Sequence, residues 1–233
     1  MAVTVTNDTQ GINQGSNPPA VLTTVTMPGG AAKVVLAYTK DDTDVADVPT
    51  FDGVAMTVCA GTRFTNANRT SNTVAFWYID GTWAAGDYTI SADRLSGGGF
   101  FNVGLFPYVL VGAATGDAED SNTAEKGNSG TTLSCDVTPT AGAAVLGLIN
   151  AHSSGANVAF SAGLVEDDNY GGSWDTVVGS ALPAAGLLSV DASMSSGYPV
   201  SMASVSFAAA AAAAAAGGFP LVGGVGLVGV PNG

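Results

Sequence analysis

Apolar and polar residues alternate with a period of two along much of this chain, the spacing that puts successive side chains on opposite faces of a strand. Val34, Leu36 and Tyr38 share one face of a segment running from residue 33 to 39. Tyr88, Ile90 and Ala92 alternate with Thr89 and Ser91 in the same way. Strands are read at 2–6, 20–27, 131–137, 143–149, 158–164, 187–192 and 198–207. Val74 to Ile79 is apolar at every position, which predicts a central strand covered on both faces. Phe100 to Val111 is a longer apolar run broken by Pro107, where a bend, bulge or edge is expected because proline cannot donate to a ladder. In the last segment Tyr198, Val200 and Met202 are even but Val205 and Phe207 are odd. That change of parity predicts either a bulge near Ala203-Ser204 or burial of both faces.

The strands are punctuated by turn residues. Pro28-Gly29-Gly30 reads as a turn, Asp52-Gly53 as a hairpin turn between short strands, and Gly97-Gly98-Gly99 as a flexible one. Residues 7–19, 41–47 and 61–72 are polar loops, and 113–130 is the most linker-like stretch. Apart from an alanine run, no window carries a 3.6-residue stripe. The expected fold is all-β: an antiparallel two-sheet β-sandwich of jelly-roll-like type over 1–207, with an apolar arm over 208–233. The alternative is two tandem small sandwiches divided within 113–130. A faint echo at an offset of 112 fits two similar strand sets. Val25-Thr26 returns as Val137-Thr138, Gly30-Ala31-Ala32 as Gly142-Ala143-Ala144, Leu36 as Leu148, and the Tyr88, Ile90 alternation as Val200, Met202.

Composition agrees with strands. Only 11% of the 233 residues are charged, and the net charge is −13 with six lysines and arginines. Such a surface repels phosphate, so nucleic acid is not expected as a partner, and anionic membranes are disfavoured for the same reason. The first residues alternate like a strand and show no basic or apolar leader, so no signal peptide is read and folding in a cytoplasm is expected.

Catalytic chemistry is hard to place. The single histidine, His152, sits in a polar turn beside Ser153-Ser154, and two cysteines (Cys59, Cys135) with one histidine make no zinc set. No cofactor is implied. The acidic groups at 41–44, 117–120 and 166–169 offer oxygen ligands to Ca2+, although none has EF-hand spacing. Trp83 and the pair Tyr170 and Trp174 lie in turn-like segments where an aromatic ring stacks on a sugar or closes the end of a sandwich.

From Phe207 onward no residue is charged: nine alanines (Ala208 to Ala216) lead into Gly217-Gly218-Phe219-Pro220 and a Gly/Val/Leu tail. A membrane-spanning helix is disfavoured, because six glycines and a proline cost about 9 kcal/mol of helix propensity. The segment reads instead as an assembly arm, with Phe207, Phe219, Leu221, Val222, Leu227 and Val228 as its contact residues.

One arrangement resembles a known group. Pro49-Thr50-Phe51-Asp52-Gly53-Val54-Ala55-Met56 is followed by the Trp77-Tyr78 strand and by Ala85-Gly86-Asp87-Tyr88-Thr89-Ile90. This resembles a loosely defined group of β-sandwich domains in phage virion structural proteins and bacterial surface proteins, although Phe51-Asp52-Gly53 departs from the usual double glycine. The resemblance implies a non-enzymatic virion subunit, such as a head decoration, fibre or tail-associated protein. Its expected partners are further copies of itself, a trimer being one closed form, and a major capsid or tail protein. Its expected location is the virion, assembled in a host cytoplasm. A carbohydrate-binding or adhesin-type surface module is the alternative.

Overall fold

The computed structural model describes residues 2–8, 10–14, 20–41, 48–67, 72–93, 102–153, 155–171, 174–195 and 197–211. The first strand set comprises β1 (Thr4–Asn7), β2 (Gly11–Gln14), β3 (Ala20–Met27), β4 (Gly30–Asp41), β5 (Thr50–Phe51) and β6 (Val54–Ala55). It continues with β7 (Thr57–Val58), β8 (Phe64–Thr65), β9 (Asn72–Trp83), β10 (Gly86–Asp93) and β11 (Asn102–Val111). The second set comprises β12 (Asp120–Lys126), β13 (Thr132–Ser134), β14 (Ala144–Ala151) and β15 (Ala159–Ala162). It ends with β16 (Val165–Gly171), β17 (Asp175–Ala181), β18 (Asp191–Ser193) and β19 (Val200–Phe207).

The protein is an antiparallel all-β chain of sandwich type, and its sheets form four layers. A first inner sheet runs β1-β11-β4-β9-β7, with β2 also on β11 and β8 also on β9; a first outer sheet runs β3-β10-β5-β6. The second inner sheet runs β12-β19-β14-β17-β16 and the second outer sheet β13-β18-β15. Val25, Met27, Leu36, Tyr38, Trp77 and Ile90 belong to the core between the first two layers. Cys135, Val137, Ile149, Val177, Val190 and Met202 belong to the core between the last two. The middle core joins the inner sheets: Val35, Phe76, Phe106, Tyr108 and Leu110 meet Leu146, Leu148, Val178, Val205 and Phe207.

That middle core explains the runs that do not alternate. A central strand of an inner sheet is covered on both faces, so apolar residues occur on both. In β9, Ala75 and Trp77 face the outer core while Val74 and Phe76 face the middle one. β19 is buried along its whole length and pairs with β14 from Ala144↔Phe207 to Ala151↔Val200 without a shift. Its even residues Val200 and Met202 face the outer core, and Ala203, Val205 and Phe207 face the middle core. Burial of both faces, rather than a bulge, accounts for the parity change.

Pro107 lies in an internal strand, in register with Leu36 of β4. On the other side of β11, β1 pairs as far as Asn7↔Tyr108 and β2 begins at Gly11↔Leu105. The Pro107 carbonyl accepts from Asp8 N–H on that side. In a strand the N and O of one residue point the same way, so the missing N–H falls in the gap between two edge strands.

The two sets follow one order. β4, β9 and β11 occupy the places that β14, β17 and β19 occupy in the second inner sheet, and β3-β10-β5 matches β13-β18-β15. Val25 opposes Tyr88 as Val137 opposes Leu188, so the offset of 112 holds there. It fails beyond. Leu36 faces an outer core and Leu148 the middle one, and the counterpart of Tyr88 and Ile90 is Leu188 and Val190 rather than Val200 and Met202.

Four strands lie where loops or a linker were expected, the first being β2 within 7–19. β12 occupies the polar connection and β16 the acidic segment at 166–169, so Glu125 and Glu166 are strand residues. Both are edge strands of the second inner sheet. β8 lies in the polar stretch 61–72. β17, a buried strand of the same sheet, escapes the alternation test because Gly179 and Ser180 interrupt it. Gly179 is required there: a Cβ would stand 2.6 Å from the Val165 carbonyl oxygen.

Candidate assembly site

The region where the two inner sheets meet, next to the departure of the C-terminal segment, gathers the chain's most unusual polar chemistry. Lys33 of β4 alternates with Val35 and Ala37, so its side chain points into the middle core and is only 1% exposed. Asp80 of β9 is its register partner across the strands. Lys33 Nζ lies 2.7 Å from Asp80 Oδ1. It donates to the Gly116 carbonyl and sits 4.3 Å from the Tyr78 ring centre and 5.4 Å from that of Phe207. Gly116 N–H donates to Asp80 Oδ2 at 2.7 Å. One ion pair therefore binds both polar groups of Gly116 and pins the crossing segment to the first inner sheet. A buried ammonium needs such partners to offset its desolvation, and the two rings add cation–π attraction.

The acids that follow hold backbone. Asp117 accepts from Ala60 N–H at 3.1 Å, and Asp120 from Thr138 N–H at 2.7 Å. Glu119 accepts from Thr140 N–H and Oγ1 at 3.0 and 2.8 Å, and from Ser206 Oγ at 3.2 Å. These are structural bonds from carboxylates read as solvated or as calcium ligands. Among the described residues no three His, Cys, Asp or Glu side chains gather as a metal set, and no helix is long and apolar enough to cross a membrane. Residues 42–47, part of the first acidic group, lie outside the described residues.

The C-terminal segment starts at this place. Beyond β19 the chain remains bonded to the crossing segment: Ala113 bridges Ala209, Ala114 N–H donates to Ala208 O at 2.8 Å, and Ala210 N–H donates to Gly112 O at 2.7 Å. Beside it lies a hollow of about 140 Å3, lined chiefly by Ala31, Ala32, Gly81, Ala113, Thr115 and Ala210, with Asp80 at its wall.

The residues expected to act distribute as follows. Phe207 is not part of an arm: it is 1% exposed, the last residue of β19, with its ring in the middle core. Phe219, Leu221, Val222, Leu227 and Val228 lie outside the described residues. Trp83 packs on Phe51 and Tyr88, with ring centres 4.8 and 5.8 Å away, and its ring covers Gly81. Trp174 is 1% exposed, 5.8 Å from Tyr170, and touches the Gly104 position of the other strand set. Core packing encloses the Trp174 ring, whereas Trp83 and Tyr170 are partly buried. Lys33 and Asp80 were missed. The available signal was a charge at the odd-parity position of β4 and another at the end of a wholly apolar run, in a chain with few cations.

Cys59 and Cys135 are free, buried, and in different cores. Burial lifts the Cys135 thiol to about 11, opposed by its hydrogen bonds with Ser204; burial first and then Asp117 raise Cys59 further. Both thiols are neutral in the fold but ionise near 8.5 once unfolded. The unfolded chain then binds fewer protons, so stability is complete below that value and falls as pH rises toward 11. At pH 8 a chromogenic disulfide reagent is expected to leave both thiols unmodified in the native protein and to titrate both in denaturant. Rapid native reaction would show that these cores open.

No family model matches the chain, and neither the curated proteins nor the solved structures searched contain a match to it.

Proposed function

We propose that the protein is a non-enzymatic virion structural subunit, such as a phage head decoration, fibre or tail-associated protein, that assembles through its apolar C-terminal segment. The observation that carries this reading is the anchorage of Ala208 to Ala210 on Gly112 to Ala114, which delivers the uncharged segment 212–233 from a fixed point on a layered β core. Electrostatics favours such a joint. Copies of net charge −13 repel one another, whereas an uncharged apolar segment can bury surface between them without adding like charge. A closed symmetric oligomer, a trimer among the options, then presents acidic sheets outward and seats on a major capsid or tail protein.

The test is solution mass by light scattering, without detergent, for the full chain and for a chain ending at Ala211. The full chain is expected to form a discrete oligomer and the shortened one a monomer. Ending at Ala211 keeps the paired residues, so the core is left intact. Equal masses for the two chains would overturn the proposal.

A further inference from the structure

The hollow and the tail lie at the same end of the molecule. β4 and β14 begin there, β9 and β17 end there, and β11 and β19 end there, as the pairs Ala32↔Gly81, Ala32↔Val111, Ala144↔Phe207 and Val145↔Ala181 require. That end also carries exposed apolar side chains: Val165 (72%), Leu182 (57%) and Leu187 (74%). The matching turn in the first strand set is equally exposed but presents a carboxylate, Asp87, in place of an apolar side chain. There Tyr88 stacks on Phe51, and Asp87, one residue before Tyr88, accepts from Thr26 Oγ1 at 2.8 Å. Leu187, one residue before Leu188, takes the place of Asp87 and is an exposed apolar side chain. The second set thus presents an apolar side chain, at the arm end, where the first presents a polar one.

We infer that the hollow between Ala31, Ala32, Gly81, Ala113, Thr115 and Ala210 receives an apolar side chain from the Phe219–Val222 region of a second copy of this chain. The inference rests on the reading of the C-terminal segment as an assembly arm and names its receptor. Size fits: apolar cavities near 150 Å3 hold a benzene ring, and this one measures about 140 Å3. Charge fits: Asp80, the carboxylate in its wall, is already bound to Lys33 and to Gly116 N–H, so an uncharged segment meets no unpaired ion.

Reach favours a neighbour over the chain's own tail. Phe219 is eight steps along the chain from Ala211, enough to span up to about 28 Å away from the exit. Ala210 is itself one wall of the hollow, so the chain's own tail enters only by reversing. The first residues suited to a turn are Gly217-Gly218, and an equal return path would set Gly224 and Val225, not the Phe219–Val222 region, opposite Ala211 and Ala210. Because donor and receptor share one end, two or three copies can exchange arms reciprocally and close, rather than propagate a filament.

The experiment mixes two full-length variants, a tagged Thr115→Cys and an untagged Leu221→Cys, assembles them together and oxidises them. Tagged Ala55→Cys, an exposed site on β6, replaces Thr115→Cys as the control, and a Thr115→Cys/Leu221→Cys double variant is run alone. The expected result is a tagged–untagged disulfide with Thr115→Cys in on the order of a hundredfold excess over the control, because docking raises the local thiol concentration to the millimolar range. A cross-link found only within single chains of the double variant would assign the hollow to the chain's own tail and overturn the inference. So would equal yields at residues 55 and 115, or none at either. If the Ala211 truncation still lowers the mass in those cases, the arm reading stands and only its receptor falls.

Discussion

Replacing Phe207 by Ala is expected to lower the unfolding free energy by about 3–5 kcal/mol, the range for a large aromatic removed from a packed core. The ring is 1% exposed, and it projects from the second inner sheet into the core that holds that sheet to the first. Its backbone partner is Ala144, and it belongs to the same fully buried middle core as Val35, Leu110 and Val205, where close packing leaves little room to collapse into the space left behind. The substitution also strips one of the two rings facing the Lys33 ammonium. Since single domains are stable by only 5–15 kcal/mol, this is a large fraction of the whole. Guanidinium unfolding followed by far-ultraviolet circular dichroism checks it, with Phe207→Leu expected to cost less than about 1.5 kcal/mol. A loss below about 1 kcal/mol for the alanine variant, with a change in oligomer mass instead, would return Phe207 to the arm.

The second large effect concerns the ion pair. Asp80→Ala leaves the Lys33 ammonium buried with the Gly116 carbonyl and two rings for company, and it also removes the acceptor of Gly116 N–H. Breaking a buried pair from one side costs about 3–5 kcal/mol; the lower end is expected here because Asp80 is 23% exposed and water can reach the site. Combining it with Lys33→Met removes the stranded charge and should recover most of the loss, since an apolar side chain suits the middle core. Both effects should change little between low and high salt, because a buried charge is weakly screened. A double-mutant cycle in denaturant measures the coupling, and additive losses from the two single variants would show that the pair is not coupled.

These two positions mark the boundary of what could be read from the chain. The segment 20–27 is a strand with the expected bounds, and Val34, Leu36 and Tyr38 share a face as their spacing requires. β3 has one covered face, and alternation records it; β4 is covered on both, with Val35 and Ala37 on the other face. The apolar run of β9 announced cover on both faces, and the parity change of β19 allowed it beside a bulge, without naming the layer that supplies it. β12 and β16 carried no comparable signal. β16 is largely exposed and β12 only partly buried, so backbone pairing rather than side-chain burial makes them strands.

The candidate site was the least legible part. The sequence marked the C-terminal segment as unusual because it lacks charge over a length that few water-exposed chains would tolerate. It could not reveal that Ala208 to Ala210 remain attached to Gly112 to Ala114, which are 96 residues earlier at the bridged pair Ala113↔Ala209, since alanine backbone pairs through groups that every residue carries.

Strand content, the central strands and the acidic, weakly charged surface follow from the sequence, because each depends on the spacing or identity of residues close in the chain. The pairing of four sheets into layers, the burial of Lys33 against Asp80 and the placing of Phe207 inside rather than on an arm were decided by the tertiary structure. They depend on which apolar face meets which, and a period-two pattern states only that a face is buried, not against what.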